Sequence, residues 1–265
     1  MTGDAGARGA RLPVVVLGAS NVSRGLARLA AAVRGRAAGP VDLYVAAGHG
    51  RSYGANSRVW MRRLPSILWS GLWRGIERAL VTGDRPQGRA LVTDIGNDLL
   101  YGFEVEQVAA WVDECLRRFS ALGIDAVVTR LPLASIRGVG RMRFSVLRSL
   151  YVPGCRLDLD ELVKRAESLD RMIVELAAAH GRAVIEQPAN WYGLDALHIR
   201  RCRLPDLWNR VADAWGLVAG VSAGQRLDRL RLGLAAAEVR SLGGFIRYTP
   251  QPAVQLGDLA TVSFF

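Results

Sequence analysis

Residues 13–21 read Pro-Val-Val-Val-Leu-Gly-Ala-Ser-Asn. The run from Pro13 to Gly18 is continuously apolar and rich in β-branched side chains, which is what a parallel strand buried on both faces requires. The pattern then changes period. Asn21 or Ser23 can cap a helix, and Leu26, Leu29, Ala30 and Val33 fall on one of its faces through about Arg36. A buried strand that turns within three residues into an amphipathic helix is the opening of a β-α-β unit.

The same alternation continues along the chain. Val41–Ala47, Arg89–Ile95, Ile124–Leu131 and Arg182–Glu186 read as further strands. Helices are expected over about 104–121, 158–180 and 197–215, and a long polar loop after Leu131. Short β-α crossovers of this kind predict a doubly wound parallel sheet in one domain, with ligands at the carboxyl ends of its strands. Residues 1–11 read as a flexible start and 12–218 as the main domain. Residues 56–80 read as a helical insertion holding Trp60, Trp69 and Trp73, whose aromatic face suits core packing better than an acyl pocket. Residues 219–265 form an extension packing on the same domain, with a helix over about 224–238. Its end, Ala-Thr-Val-Ser-Phe-Phe, suits an edge strand or a dimer contact.

Composition narrows the class. Half of the 265 residues are hydrophobic, so a sizeable core is expected. No apolar run approaches the roughly 20 residues of a bilayer span, and the run at 12–17 lacks a signal cleavage region. A cytoplasmic location is the expectation. The odd, widely spaced cysteines Cys115, Cys155 and Cys202 make neither a zinc motif nor a disulfide framework. A formal charge of +11 raises the possibility of nucleic acid. Lys164 is the single lysine, however, and the arginines are scattered without a basic block. That argues against nucleic acid as the partner and leaves attraction of anionic substrates open.

Each strand end carries polar groups. Ser20 follows the first strand, Gly48-His49-Gly50-Arg51-Ser52 the second, Gly96-Asn97-Asp98 the third, and Asp195-Ala-Leu-His198 the fifth. At a helix start, D-x-x-H would put carboxylate and imidazole on one face. Asp195 then orients His198 through Nδ1 and leaves Nε2 as a base. Ser20, at the start of a helix, can present its hydroxyl while its N–H faces an oxyanion. The stretch is neither a dinucleotide fingerprint nor a G-x-S-x-G elbow, because Val22 stands in place of the second glycine. Asn97 offers an amide donor, and either Gly48 or Gly50 a backbone N–H.

Taken in order, these four blocks resemble the SGNH (GDSL-like) hydrolases over about residues 13–200. The resemblance implies a flavodoxin-like three-layer α/β/α sandwich around a mostly parallel five-stranded sheet. It also implies a carboxylic ester hydrolase without metal or organic cofactor, acting on a small-molecule ester: an esterase, a lysophospholipase or a carbohydrate acetylesterase. Ser20 is then the nucleophile, His198 the general base and acid, and Asp195 its orienter. The Ser20 N–H, Gly50 and Asn97 form the oxyanion hole, and His49, Arg51 and Trp191 are expected to touch substrate. Two blocks depart from the family pattern. Ala19 replaces the usual acidic neighbour of the nucleophile, and Gly96 stands one place closer to Asn97 than usual. The rival readings are a non-catalytic binding module of the same fold and a basic nucleotide- or nucleic-acid-binding flavodoxin-like protein.

Overall fold

The computed structural model describes residues 10–59, 62–81, 86–152, 154–193, 195–218, 226–242 and 245–265. Trp60 and most of the expected flexible start lie outside them. Arg11, also expected to be flexible, is anchored by an ion pair to Asp42 at 2.6 Å.

The chain runs β1 (Leu12–Leu17), α1 (Ser20–Arg36), β2 (Val41–Ala46), β3 (Ser57–Val59), β4 (Arg62–Leu64), α2 (Leu72–Val81) and β5 (Arg89–Val92). It continues through α3 (Asn97–Leu100), α4 (Val105–Ala121), β6 (Asp125–Thr129), α5 (Leu133–Arg137), α6 (Arg141–Tyr151), α7 (Leu159–Ala179) and β7 (Ala183–Ile185). After a short 3-10 turn at Ala189–Trp191 come α8 (Leu204–Ala214), α9 (Arg226–Leu234), β8 (Val239–Leu242), β9 (Phe245–Tyr248), β10 (Val254–Leu256) and β11 (Ala260–Phe264).

The five expected strands pair in parallel in the order β2-β1-β5-β6-β7. The sheet is wider than expected, with seven strands. The C-terminal segment lays β11 parallel along β2 and folds β10 antiparallel onto it. Residues of β1 divide between two cores, as period-2 alternation demands. Val14 and Val16 face the layer of α1 and α8, whereas Val15 and Leu17 face the layer of α2, α4 and α7. Gly25 lets α1 and α8 approach, since a Cβ there would stand 2.6 Å from a ring atom of Trp208.

The insertion is not helical throughout. It opens with the hairpin β3-β4, which pairs with β8 and β9 into a second, antiparallel sheet of four short strands. Only α2 follows the helical expectation. Its Leu72 and Trp73 pack into the core with Ile67 and Leu68 of the preceding turn, while Trp69 is 74% exposed. Nor is the segment after β6 a polar loop. It folds into α5 and α6, whose Ile136, Phe144 and Leu147 line a cavity beside the carboxyl edge of the sheet. Among the described residues no helix is long and apolar enough to cross a membrane.

Candidate active site

Ser20 is the first residue of α1, two positions after the glycine that ends the first strand, and it is largely buried. A helix start leaves backbone N–H groups without partners. Here Ala19 offers no side-chain cap, and the first turn holds no acidic residue. The acceptor comes instead from the neighbouring strand. Asp94 Oδ2 accepts the N–H of Ala19 at 2.9 Å and of Asn21 at 3.0 Å. Its carboxylate thereby caps the helix on either side of Ser20, where negative charge is favoured. Asp94 is held at φ +58° to do so, a left-handed conformation that Asp and Asn tolerate better than most residues.

Asp195 and His198 lie in a bend that precedes α8, not at a helix start as expected; α8 begins only at Leu204. The bend still brings them together. Asp195 Oδ1 accepts from the backbone N–H of Leu197 at 3.1 Å and of His198 at 2.6 Å, and lies 3.0 Å from His198 Nδ1. Burial pushes the Asp195 carboxyl up, but these hydrogen bonds outweigh it and hold the group below its ordinary value. A proton on Nδ1 facing Asp195 leaves Nε2 as the basic nitrogen. An antiparallel bridge between Tyr192 and Ile199 closes the base of the bend.

One side chain ties this bend to the start of α1. Asn21 donates from Nδ2 to Asp94 Oδ1 at 2.7 Å and to the Leu197 carbonyl at 3.0 Å. Its Oδ1 accepts from the Ile199 N–H at 2.9 Å. The residue after Ser20 thus holds both neighbours of His198. Tyr192 stands close by, its hydroxyl pushed well above its ordinary value by burial and by the charges of Asp94 and Asp195.

The second and third loops are locked to each other. Gly50 adopts φ +68°, a region open to glycine at little cost. Its carbonyl accepts from the Tyr101 hydroxyl at 2.8 Å. Asp98, fully buried, accepts the Tyr53 N–H at 2.9 Å. Burial lifts its carboxyl to about 6. Asn97 opens α3 and lines the apolar cavity together with Asn21, Asp94, Ala196 and Leu197. The cavity continues between Leu131, Phe144, Val152, Leu162 and Ala166.

The residues expected to touch substrate are placed differently from one another. Arg51 is 1% exposed and donates to the backbone carbonyl of Phe265. It therefore anchors the C-terminal strand. Burial pushes its guanidinium down to about 9. Trp191 is 4% exposed, packed in the core of the α1–α8 layer, with the Arg210 guanidinium 4.8 Å from its ring centroid. His49 is exposed, in a groove on the α1–α9 side. Sequence reasoning missed the roles of Asp94 and Asn21. The signal available was an acidic residue three places before Asn97 and an amide beside Ser20, and neither spells out its tertiary partner. No cluster of three metal-ligating side chains occurs among the described residues.

No protein-family model matches the chain, and no curated protein matches it in sequence. Solved structures do. The carbohydrate acetylesterase Est24 from Sinorhizobium meliloti matches with a TM-score of 0.50 at 11% identity, over 77% of this chain and 98% of that one. The native M. smegmatis aryl esterase matches with a TM-score of 0.50 at 8% identity, over 78% and 100%. A member of the lipolytic G-D-S-L family from Veillonella parvula DSM 2008 gives a TM-score of 0.44 at 14% identity, over 76% and 96%. At such identities the likeness is one of architecture, and the chain has the SGNH-like fold, a flavodoxin-like α/β/α sandwich around a mostly parallel sheet.

Proposed function

We propose that the protein is a serine hydrolase that cleaves carboxylic esters of a medium-length acyl chain. The observation that carries this reading is the Asp195–His198 pair, 3.0 Å apart, fastened by Asn21 to the helix that opens with Ser20. In the mechanism, His198 Nε2 takes the Ser20 proton as Oγ attacks the ester carbonyl. The charge on the carbonyl oxygen is met by the Ser20 N–H, the Asn97 amide and the Gly50 N–H. His198 then protonates the leaving alcohol, takes a proton from the attacking water and returns it to Ser20 Oγ as the acyl–oxygen bond breaks and the acid departs. Asp195 keeps the imidazole in the tautomer that this sequence needs.

The acyl chain is assigned to the apolar cavity that Asn97 and Leu197 share. Its lining runs inward from Asn97 to the apolar side chains of Phe144, Leu162 and Ala166, which offers an acyl chain hydrocarbon contacts well beyond its first carbons. An acetyl group would leave most of it empty, so the acyl reading is favoured over the acetyl one. The test is hydrolysis of nitrophenyl esters from two to sixteen carbons, with fluorophosphonate labelling of wild type and Ser20→Ala. Activity is expected to peak at chains clearly longer than acetyl and to vanish, with labelling, in the variant. Labelling that persists without the Ser20 hydroxyl removes Ser20 from its role.

A further inference from the structure

Three segments that carry the proposed catalytic groups also contribute to a second groove. Ser23 and Arg24 lie one turn beyond Ser20 on α1, Arg201 lies three residues after His198, and His49 immediately precedes Gly50. With Arg28 on α1 and Arg229 on α9, they bound a space of about 420 Å³. Among the described residues, four arginines line it and no Asp or Glu does.

Four arginines elsewhere in the chain are placed differently. Arg34, Arg36, Arg118 and Arg130 each close on an acidic side chain, with Asp228, Asp213, Glu114 and Asp170 as partners. In the groove, Arg28 donates to the neutral backbone carbonyl of Arg201 at 2.7 Å. One terminal nitrogen of Arg24 is enclosed with no hydrogen-bond partner. Converging cations without a counter-charge repel one another, and an enclosed donor without an acceptor is costly. An anion with several acceptor oxygens relieves both. Guanidinium forks match phosphate oxygens in shape as well as charge.

We propose that this groove binds a phosphoryl group carried on the alcohol half of the substrate. The assignment rests on the hydrolase reading above. If the acyl chain lies on the Asn97 side, the alcohol leaves past His198, toward Arg201. The substrate class is then an acyl ester of a phosphate-bearing alcohol, either soluble or presented as a lipid headgroup.

The test compares octanoyl glycerol with its 3-phosphate, for wild type and for the variant Arg201→Gln/Arg229→Gln, both of whose sites are exposed. Wild type is expected to favour the phosphate ester in kcat/KM by at least about tenfold, and the variant to lose that preference. Calorimetry with glycerol 3-phosphate should show binding to wild type that the variant lacks. A preference seen only with phosphatidic acid vesicles assigns the phosphate to a lipid source. Equal rates on both esters in wild type without a preference for phosphatidic acid vesicles either, or a preference unchanged in the variant, overturn the proposal. Salt-sensitive binding of polyuridine without phosphate preference overturns it in favour of a nucleic-acid surface. If neither ester is hydrolysed and fluorophosphonate does not label Ser20, the hydrolase reading falls. In that case calorimetric phosphate binding, lost in the variant, still upholds the groove, and its absence removes it.

Discussion

Replacing Asn21 by alanine should separate the two halves of the candidate site without touching Ser20, Asp195 or His198. The change removes three hydrogen bonds, to Asp94, to the Leu197 carbonyl and from the Ile199 N–H. Their losses are unequal. Asp94 keeps its two backbone donors, and the partly exposed Leu197 carbonyl can recruit water. Ile199, fully buried, leaves an orphaned N–H costing about 1–3 kcal/mol. Adding about 1 kcal/mol for each of the other two bonds gives an expected loss of roughly 3–5 kcal/mol. Urea unfolding followed by tryptophan fluorescence measures this. Activity on an octanoyl ester should fall mainly in kcat, by about 10–100-fold, because the His198 bend loses its register with α1 while the acyl cavity remains. Asn21→Asp keeps the acceptor for Ile199 but sets a second carboxylate against Asp94, so its defect should ease as pH is lowered. A stability loss under about 1 kcal/mol, together with unchanged kcat, would refute the clamp.

Three further outcomes are expected. Ala166→Phe fills the far part of the cavity and should move the ester optimum to two or four carbons, read from the chain-length series; an unmoved optimum places the acyl chain elsewhere. Asp195→Asn should lower kcat by about 10²–10⁴-fold with a small change in KM, through the wrong imidazole tautomer, in steady-state kinetics. Asp98→Asn tests the buried carboxyl that burial lifts from 3.8 to about 6. A carboxyl raised by folding favours the folded state when protonated, so its contribution is greatest below about pH 4 and is lost as pH rises to about 6. The loss is on the order of 3 kcal/mol. In unfolding titrations, the difference between wild type and variant should therefore grow across that window in favour of the variant and level off above it.

The parallel sheet was legible because β1 is an unbroken apolar run and the strands after it are largely apolar, and burial of the central strands on both faces writes itself into composition. The segment 131–157 reads as a polar loop because α5 and α6 carry Arg137, Arg141 and Arg143 on exposed turns. Their inward-facing Ile136, Phe144 and Leu147 meet a cavity instead of a continuous core. The hairpin β3-β4 escaped notice because three-residue strands are too short to show a period. Ser20, Asp195 and His198 stood out by residue type and spacing. Arg51 did not reveal its burial, since its partner is the Phe265 carbonyl, 214 residues away in sequence. Asp94 and Asn21 read as ordinary loop and cap residues for the same reason: their roles lie in partners that local sequence does not name.

The helix start at Ser20 receives its carboxylate from Asp94, 75 residues away from Ala19, and not from the residue beside it. A search keyed to the few residues around the serine therefore looks for an acid in the wrong place. The informative pattern is split: Gly-Ala-Ser-Asn at 18–21 together with an aspartate at the end of the adjacent strand, at 94. Chains that share this arrangement are recognised by reading the two segments jointly. Exchanging the acid between positions 19 and 94 then becomes a defined way to ask how the nucleophile turn tolerates a change of anchor.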